Sequence, residues 1–240
     1  MSSVDHFPST HQTWIGVQLT IIEEAGEHAG AGRAAHQSLA RYLMERYHAP
    51  LRAYVLGSRL RELGEPDELI DGFFVHLLAT PASLLRWRSS GLPLRRWLMH
   101  GMAFHGRTVR KDLLRNREGS SLHALAAEPS DGDDVGGVHA FDRAWALRLV
   151  NEAHRLAHQA CIERGLLDEY EVFRLHVNER LPYASIAPRT GRTQQQCANA
   201  TRRIGGILRE SVQQLLREEG VPPADMASTI AEMQQLLRGK

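Results

Sequence analysis

Apolar side chains recur at helical spacing along most of the chain. Leu39, Leu43 and Tyr47 fall four residues apart, the stripe of an amphipathic helix. Pro50 then predicts a kink or a new first turn before Leu51, Tyr54 and Val55. Pro66 and Asp67 open another helix, with Leu69, Ile70, Phe73, Phe74, Leu77 and Leu78 on its apolar face, and Pro81 stops it. Residues 83 to 93 predict a loop with a short turn, and a further helix starts near Pro93 and runs to about Asn116. Strand signals are nearly absent.

Residues 118 to 138, "EGSSLHALAAEPSDGDDVGGV", lack a sustained apolar face and are rich in Gly, Ser, Asp and Pro in their second half. They predict a linker between two helical domains. Beyond it, Trp145, Leu149, Ala153 and Leu156 form a stripe. Helices are expected over 168 to 179, over Tyr183 to Pro188 and from 193 to about 219. After "GVPPAD", Met226, Ile230, Met233 and Leu237 mark a last helix, with Asp225 as its N-cap. The fold class expected is all-α: two small helical domains joined by an acidic flexible linker, the C-terminal one with a helix-turn-helix.

The average charge of +1 hides its distribution. Residues 86 to 117 hold Arg86, Arg88, Arg95, Arg96, Arg107, Arg110, Lys111, Arg115 and Arg117 against Asp112 alone. Residues 118 to 140 hold Glu118, Glu128, Asp131, Asp133 and Asp134 and no Lys or Arg. Such segregation suits surfaces that meet a charged polymer. The two cysteines, Cys161 and Cys197, stand apart, as expected in a reducing cytoplasm. No apolar run approaches bilayer length, so no membrane partner is expected. The N-terminus lacks a basic start followed by an apolar stretch, and no secretory signal is expected.

Three patterns carry candidate chemistry. In "YASIAPRTGRTQQQCANATRRIGGIL", Gly191 stands where a tight turn needs positive φ, Thr193 caps the following helix, and Ile204, Ile207 and Leu208 face inward. Its exposed side offers Gln194, Gln195, Gln196, Asn199 and Arg202, side chains suited to base edges and phosphates. A plain helical hairpin with a solvated polar face has the same pattern. In residues 84 to 117, Trp87, Trp97 and Phe104 alternate with arginines, as in proteins that hold single-stranded nucleic acid. A basic amphipathic helix with core tryptophans is the alternative, and Trp97 is expected to be partly core. His154, His158 and Cys161 share a helix face at zinc-like spacing, but no fourth ligand is evident, so neither a metal nor another cofactor is expected. Nucleophile elbows, phosphate loops and catalytic carboxylate pairs are missing from the sequence, and the protein is not expected to be an enzyme.

Taken in order, these segments resemble a bacterial extracytoplasmic-function (ECF) sigma factor of the sigma-70 family. The likeness covers about residues 34 to 217. "EPDELIDGFFVHLL" stands where the family has its acidic-hydrophobic, polymerase-gripping helix. "LRRWLMHGMAFHGRTVRKDLLR" stands where it has a basic helix around a tryptophan. "LPYASIAPRTGRTQQQCANATRRIGGILRESVQQLL" stands where it has its promoter-reading helix-turn-helix. "WIGVQL" and "FDRAWALRLV" are similar to flanking pieces of a longer-tailed subgroup. Gly101 and Gly106 interrupt a helix the family usually fills with stronger formers, Phe104 replaces a frequent Asn, and Pro188 is predicted to shorten its helix.

The resemblance implies an N-terminal extension (1–30), a region-2-like domain (31–117), a linker (118–140), a region-4-like domain (141–219) and a C-terminal extension (220–240). It implies that Asp67, Glu68, Leu69, Asp71, Phe73 and Phe74 dock on the clamp of core RNA polymerase. Arg86, Arg88, Arg95, Arg96, Trp97, His100, Arg107 and Arg110 would contact the minus-ten element and the melted strand. Arg192, Gln194, Gln195, Gln196, Asn199, Arg202 and Arg203 would read the duplex minus-thirty-five element. The partners implied are core polymerase (clamp and flap), promoter DNA as duplex and single strand, and an anti-sigma or other regulatory protein, all in the cytoplasm. The linker acids would lie in the channel that later carries RNA. A stand-alone helix-turn-helix regulator with a sensing or protein-binding N-terminal domain, and a helical metalloprotein, remain as alternatives.

Overall fold

The computed structural model describes residues 14–25, 30–79, 82–116 and 135–238. Among these the chain is all-helical. In chain order the helices are α1 (Trp14–Ala25), α2 (Gly30–Gly57), α3 (Pro66–Leu78), α4 (Ala82–Ser90), α5 (Leu94–Asn116), α6 (Val135–Glu163), α7 (Leu167–Val177), α8 (Tyr183–Thr190), α9 (Gln194–Glu218) and α10 (Met226–Arg238). Most of the expected linker lies outside the described residues, but its last part, from Val135, is the start of α6.

Packing divides the chain into two compact units. The first takes residues 1–146 together with 218–240, and the second takes 147–217. The boundaries expected at 141 and 219 therefore shift: the first turns of α6 and the whole C-terminal segment belong with the first unit. The apolar residues Phe141 and Trp145 are fully buried there.

In the first unit, α1 lies along α2 and also touches α4, while α2 packs on α3 and α5. Ile15, Leu19 and Ile22 bury one face of α1, a helix that "WIGVQL" had hinted at only by likeness. Leu39, Leu43 and Tyr47 bury one face of α2 as their spacing predicts. Pro50 does not restart the helix, since α2 runs unbroken from Gly30 to Gly57 through it. It costs a backbone hydrogen bond, yet Leu51, Tyr54 and Val55 continue the buried face and carry α2 through it. Residues 83 to 93 are not mainly loop, since α4 occupies 82 to 90 with Leu84 and Trp87 buried.

Gly101 and Gly106 find their explanation in α5. A Cβ on Gly101 would lie 3.1 Å from the Phe73 ring, and one on Gly106 would overlap Leu60 Cδ2. The helix accepts weak formers there so that α3 and the 3-10 turn Arg59–Glu62 approach closely.

The second unit is built around two apolar groups. One joins Ala157, Cys161, Leu166, Phe173, Ile204 and Ile207. The other joins Val172, Leu175, Ile186, Cys197 and Ala200. Pro188 does not shorten α8, which runs on to Thr190. At the far end of the chain, Asp225 closes a short 3-10 turn and its carbonyl accepts from Ser228 Oγ.

Candidate nucleic-acid interface

The turn between α8 and α9 is set by local chemistry. Gly191 takes φ 65°, left-handed backbone that glycine adopts freely. Its amide and that of Arg192 both donate to the Ala187 carbonyl and close α8. Thr193 then opens α9 in a reciprocal cap. The Gln196 amide donates to Thr193 Oγ1 at 3.2 Å, and the Thr193 amide donates to Gln196 Oε1 at 2.8 Å. Upstream, the His176 ring stacks on Tyr183 at 4.1 Å and its Nδ1 lies 2.8 Å from the Leu181 carbonyl oxygen, fixing the start of α8. Ile186, Cys197, Ala200 and Ile204 are buried. Their burial leaves the opposite side of α9 in solvent.

That side is polar and connected. Gln195 Nε2 donates to Asn199 Oδ1 at 3.1 Å, and Arg202 Nη1 reaches the same oxygen at 3.4 Å. With Arg209, also exposed, these residues fall within about 80° of arc at ~100° per residue. The other expected reading residues sit differently. Gln196 is held in the cap, and Gln194 and Arg203 are exposed at the edges of the face. Arg203 donates to Glu169 Oε1 at 3.0 Å, and Arg192, half-buried, stands in the turn.

In the first unit, α5 carries a second surface. Arg96, His100, Phe104, Arg107, Lys111 and Arg115 fall within about 100° of arc. Phe104 is 65% exposed in the middle of it, and the other residues of the six are exposed too, apart from half-buried Arg96. The stripe thus pairs cations with one free aromatic face. Phe104 was expected among the aromatics interleaved with arginines, whereas Lys111 and Arg115 were not among the expected contacts; the three- and four-residue spacing from Arg96 onward is the signal that picks them out.

Several expected contacts are corrected by burial. Leu69, Phe73 and Phe74 are core residues of the first unit and do not offer their side chains to a partner. Asp67, Glu68 and Asp71 remain exposed on α3, Asp67 accepting from Arg52 Nε at 3.1 Å. Trp87 is buried with its indole Nε1 donating to the Leu92 carbonyl at 2.9 Å, so it is not a stacking platform. Trp97 is half-buried, as expected. Arg110 is buried, and Arg95, 7% exposed, lies 4.0 Å over the Trp145 ring. Arg86 is exposed and donates to Ser83 Oγ, while Arg88 pairs with Glu23. Arg96 pairs with Asp142 at 3.1 Å. Asp142 and Glu232, which pair with Arg96 and Arg95, and Glu219, which accepts from the Trp145 indole, were missed because nothing in their local sequence marks them.

Histidine positions follow packing. His154 lies against Phe173 and His158 against Tyr170, with ring centroids 6.3 Å and 4.7 Å apart, and Cys161 is fully buried. Among the described residues no group of three His, Cys, Asp or Glu side chains is arranged to hold a metal. Burial and the neighbouring His76, in that order, push His105 below the usual histidine range. No single described helix is long and apolar enough to cross a membrane.

Comparison with protein-family models, curated proteins and solved structures gives no match to this chain.

Proposed function

We propose that the protein is a sigma-type transcription initiation factor, which binds core RNA polymerase, recognises a promoter and helps open it. The observation that carries the reading is the α8–Gly191–α9 arrangement. A helix is presented after a tight, capped turn, with Gln195, Asn199, Arg202 and Arg209 connected or aligned on its solvent face. The arrangement supports reading it as a helix-turn-helix for the major groove, where amides read adenine and arginine grips guanine or phosphate. The α5 stripe supports the second half of the reading. Its cations suit a backbone, and Phe104 suits an unpaired base. The exposed acids Asp67, Glu68 and Asp71 on α3 are what remain for docking on the polymerase clamp. On this reading the protein acts in the cytoplasm, needs no cofactor and leaves the chemistry to the polymerase. The test is transcription with purified core polymerase on genomic fragments. Promoter-dependent transcripts that require the protein are expected. Duplex binding without polymerase, and no transcripts, would favour a stand-alone regulator instead.

A further inference from the structure

The C-terminal segment packs within the first unit, at the head of α5. The Leu94 amide donates to the Glu219 carbonyl at 3.4 Å. Arg95 Nη2 donates to Glu232 of α10, also at 3.4 Å. Val221, Thr229 and Met233 are the buried residues of this segment after Gly220. Gly220 itself sits against Trp87, whose Cζ2 would lie 3.4 Å from an added Cβ.

Arg95 is poorly matched where it lies. Its Nε is buried with no hydrogen-bond partner among the described residues. Its ion pair with Glu232 is long, and that carboxylate is 59% exposed. Next to it, Asp142 takes Arg96 with Oδ2 while its Oδ1 is buried without a partner. A guanidinium is best satisfied by two parallel bonds to one anion, and a buried polar atom left unpaired is costly. Arg96 is also the first cation of the α5 stripe. Arg95 precedes Arg96 in sequence but lies about 100° round the helix from it, off the stripe; a phosphate reaching it would supply the paired oxygens that Glu232 does not.

We propose that Arg95 and Arg96 form a phosphate-binding site for single-stranded nucleic acid, and that α10 closes this site in the free chain with Glu232 standing in for a phosphate. The proposal rests on the nucleic-acid part of the reading above. It makes the C-terminal helix an internal competitor. A strand gains Arg95 only as α10 lifts, while Arg96, paired with Asp142, stays at the end of the open stripe. The α10 helix is held by buried Thr229 and Met233, by half-buried Met226, Ile230, Leu236 and Leu237, and by one solvent-exposed carboxylate.

The test uses the full chain. Met233→Glu puts a charge at a buried position, and Glu232→Lys reverses the ion pair. Amide hydrogen exchange over 226–238 reports release of α10, and anisotropy of a labelled single-stranded oligonucleotide reports binding. Faster exchange is expected in both variants. Affinity should rise roughly tenfold, with a salt dependence steeper by about one phosphate contact. Adding Arg95→Gln and Arg96→Gln should abolish the gain. Exchange that stays slow in both variants, release without gain, or a gain that survives loss of the arginines would each overturn the proposal. So would equal Arg95-dependent binding of polyglutamate, which would make the site one for an acidic protein. Transcription read in the same variants separates the two levels. Transcripts with unchanged oligonucleotide affinity sink this inference and leave the sigma reading standing. An arginine-dependent gain without transcripts does the reverse.

Discussion

The indole Nε1 of Trp145, in α6, donates to a carboxylate oxygen of Glu219, just past the end of α9, and both residues are buried. The same ring lies under the Arg95 guanidinium. A carboxylate taken out of water needs its donors, and an indole N–H needs its acceptor.

Removing either partner is therefore predicted to destabilise the first unit. Trp145→Phe should cost about 1.5–3 kcal/mol for the lost hydrogen bond to a charged group. Glu219→Gln keeps an acceptor for the indole and should cost less. Urea unfolding followed by far-ultraviolet circular dichroism ranks the two; equal losses would mean that the neutral amide does not replace the carboxylate as the indole's acceptor.

Two glycines in helices should respond to alanine with opposite signs. Gly205, in α9, has nothing near its missing Cβ, so Gly205→Ala should stabilise by about 1 kcal/mol through helix propensity. Gly106→Ala meets Leu60, and overpacking of about 1–3 kcal/mol should outweigh the same propensity gain. Denaturation midpoints of both variants decide it. A stabilised Gly106→Ala would show that Leu60 can move aside.

Stability should fall on acidification through the histidine range. His105 and His154 both have folded pKa values below 6.5, so the unfolded chain binds protons first as the pH drops. The neutral rings favour the folded state above about pH 6.5, and that advantage shrinks as the pH falls towards their depressed values. His105→Gln should flatten the pH dependence of the melting temperature between about 7.5 and 5.5. An unchanged slope would place the effect elsewhere.

The face of α9 should split into a reading part and a holding part. Thr193→Ala breaks the cap and should lower stability by about 0.5–2 kcal/mol without changing sequence preference. Gln195→Ala and Asn199→Ala should alter the preferred upstream bases, by about 1–3 kcal/mol per lost base contact. A promoter library with randomised upstream positions measures this. The same preference in all three variants would return α9 to a merely solvated face.

The legible part of this protein was what depends on neighbours in sequence. The stripe Leu39, Leu43, Tyr47, the opening at Pro66, the turn at Gly191 and the Thr193 cap were all readable because each follows from local spacing or backbone preference. Pro50 and Pro188 misled because each local penalty was overridden: buried residues continue on both sides of Pro50, and α8 extends past Pro188 to a well-capped end. The α4 segment read as loop because its nine residues show only a weak stripe. The candidate site was half legible. Arginine composition pointed to α5 but could not tell Arg107, in solvent, from Arg95, turned under Trp145 by residues 50 and 137 positions away. The same limit hid the role of Phe73, whose ring packs against Gly101 of a different helix.

The first unit draws on both ends of the chain, and Arg95 and Glu232 are separated by 137 residues. During synthesis, α1 to α5 must therefore wait while the whole of 147–217 is made before Glu219 can meet Trp145 and Leu94. Closing so long a loop adds little to the equilibrium cost but delays the event. Until Glu219 is made Trp145 lacks its acceptor, and until Glu232 follows Arg95 lacks its carboxylate. A nascent chain would then leave Arg95 uncovered until its partner helix arrives, so the order of translation sets when that one cation is paired.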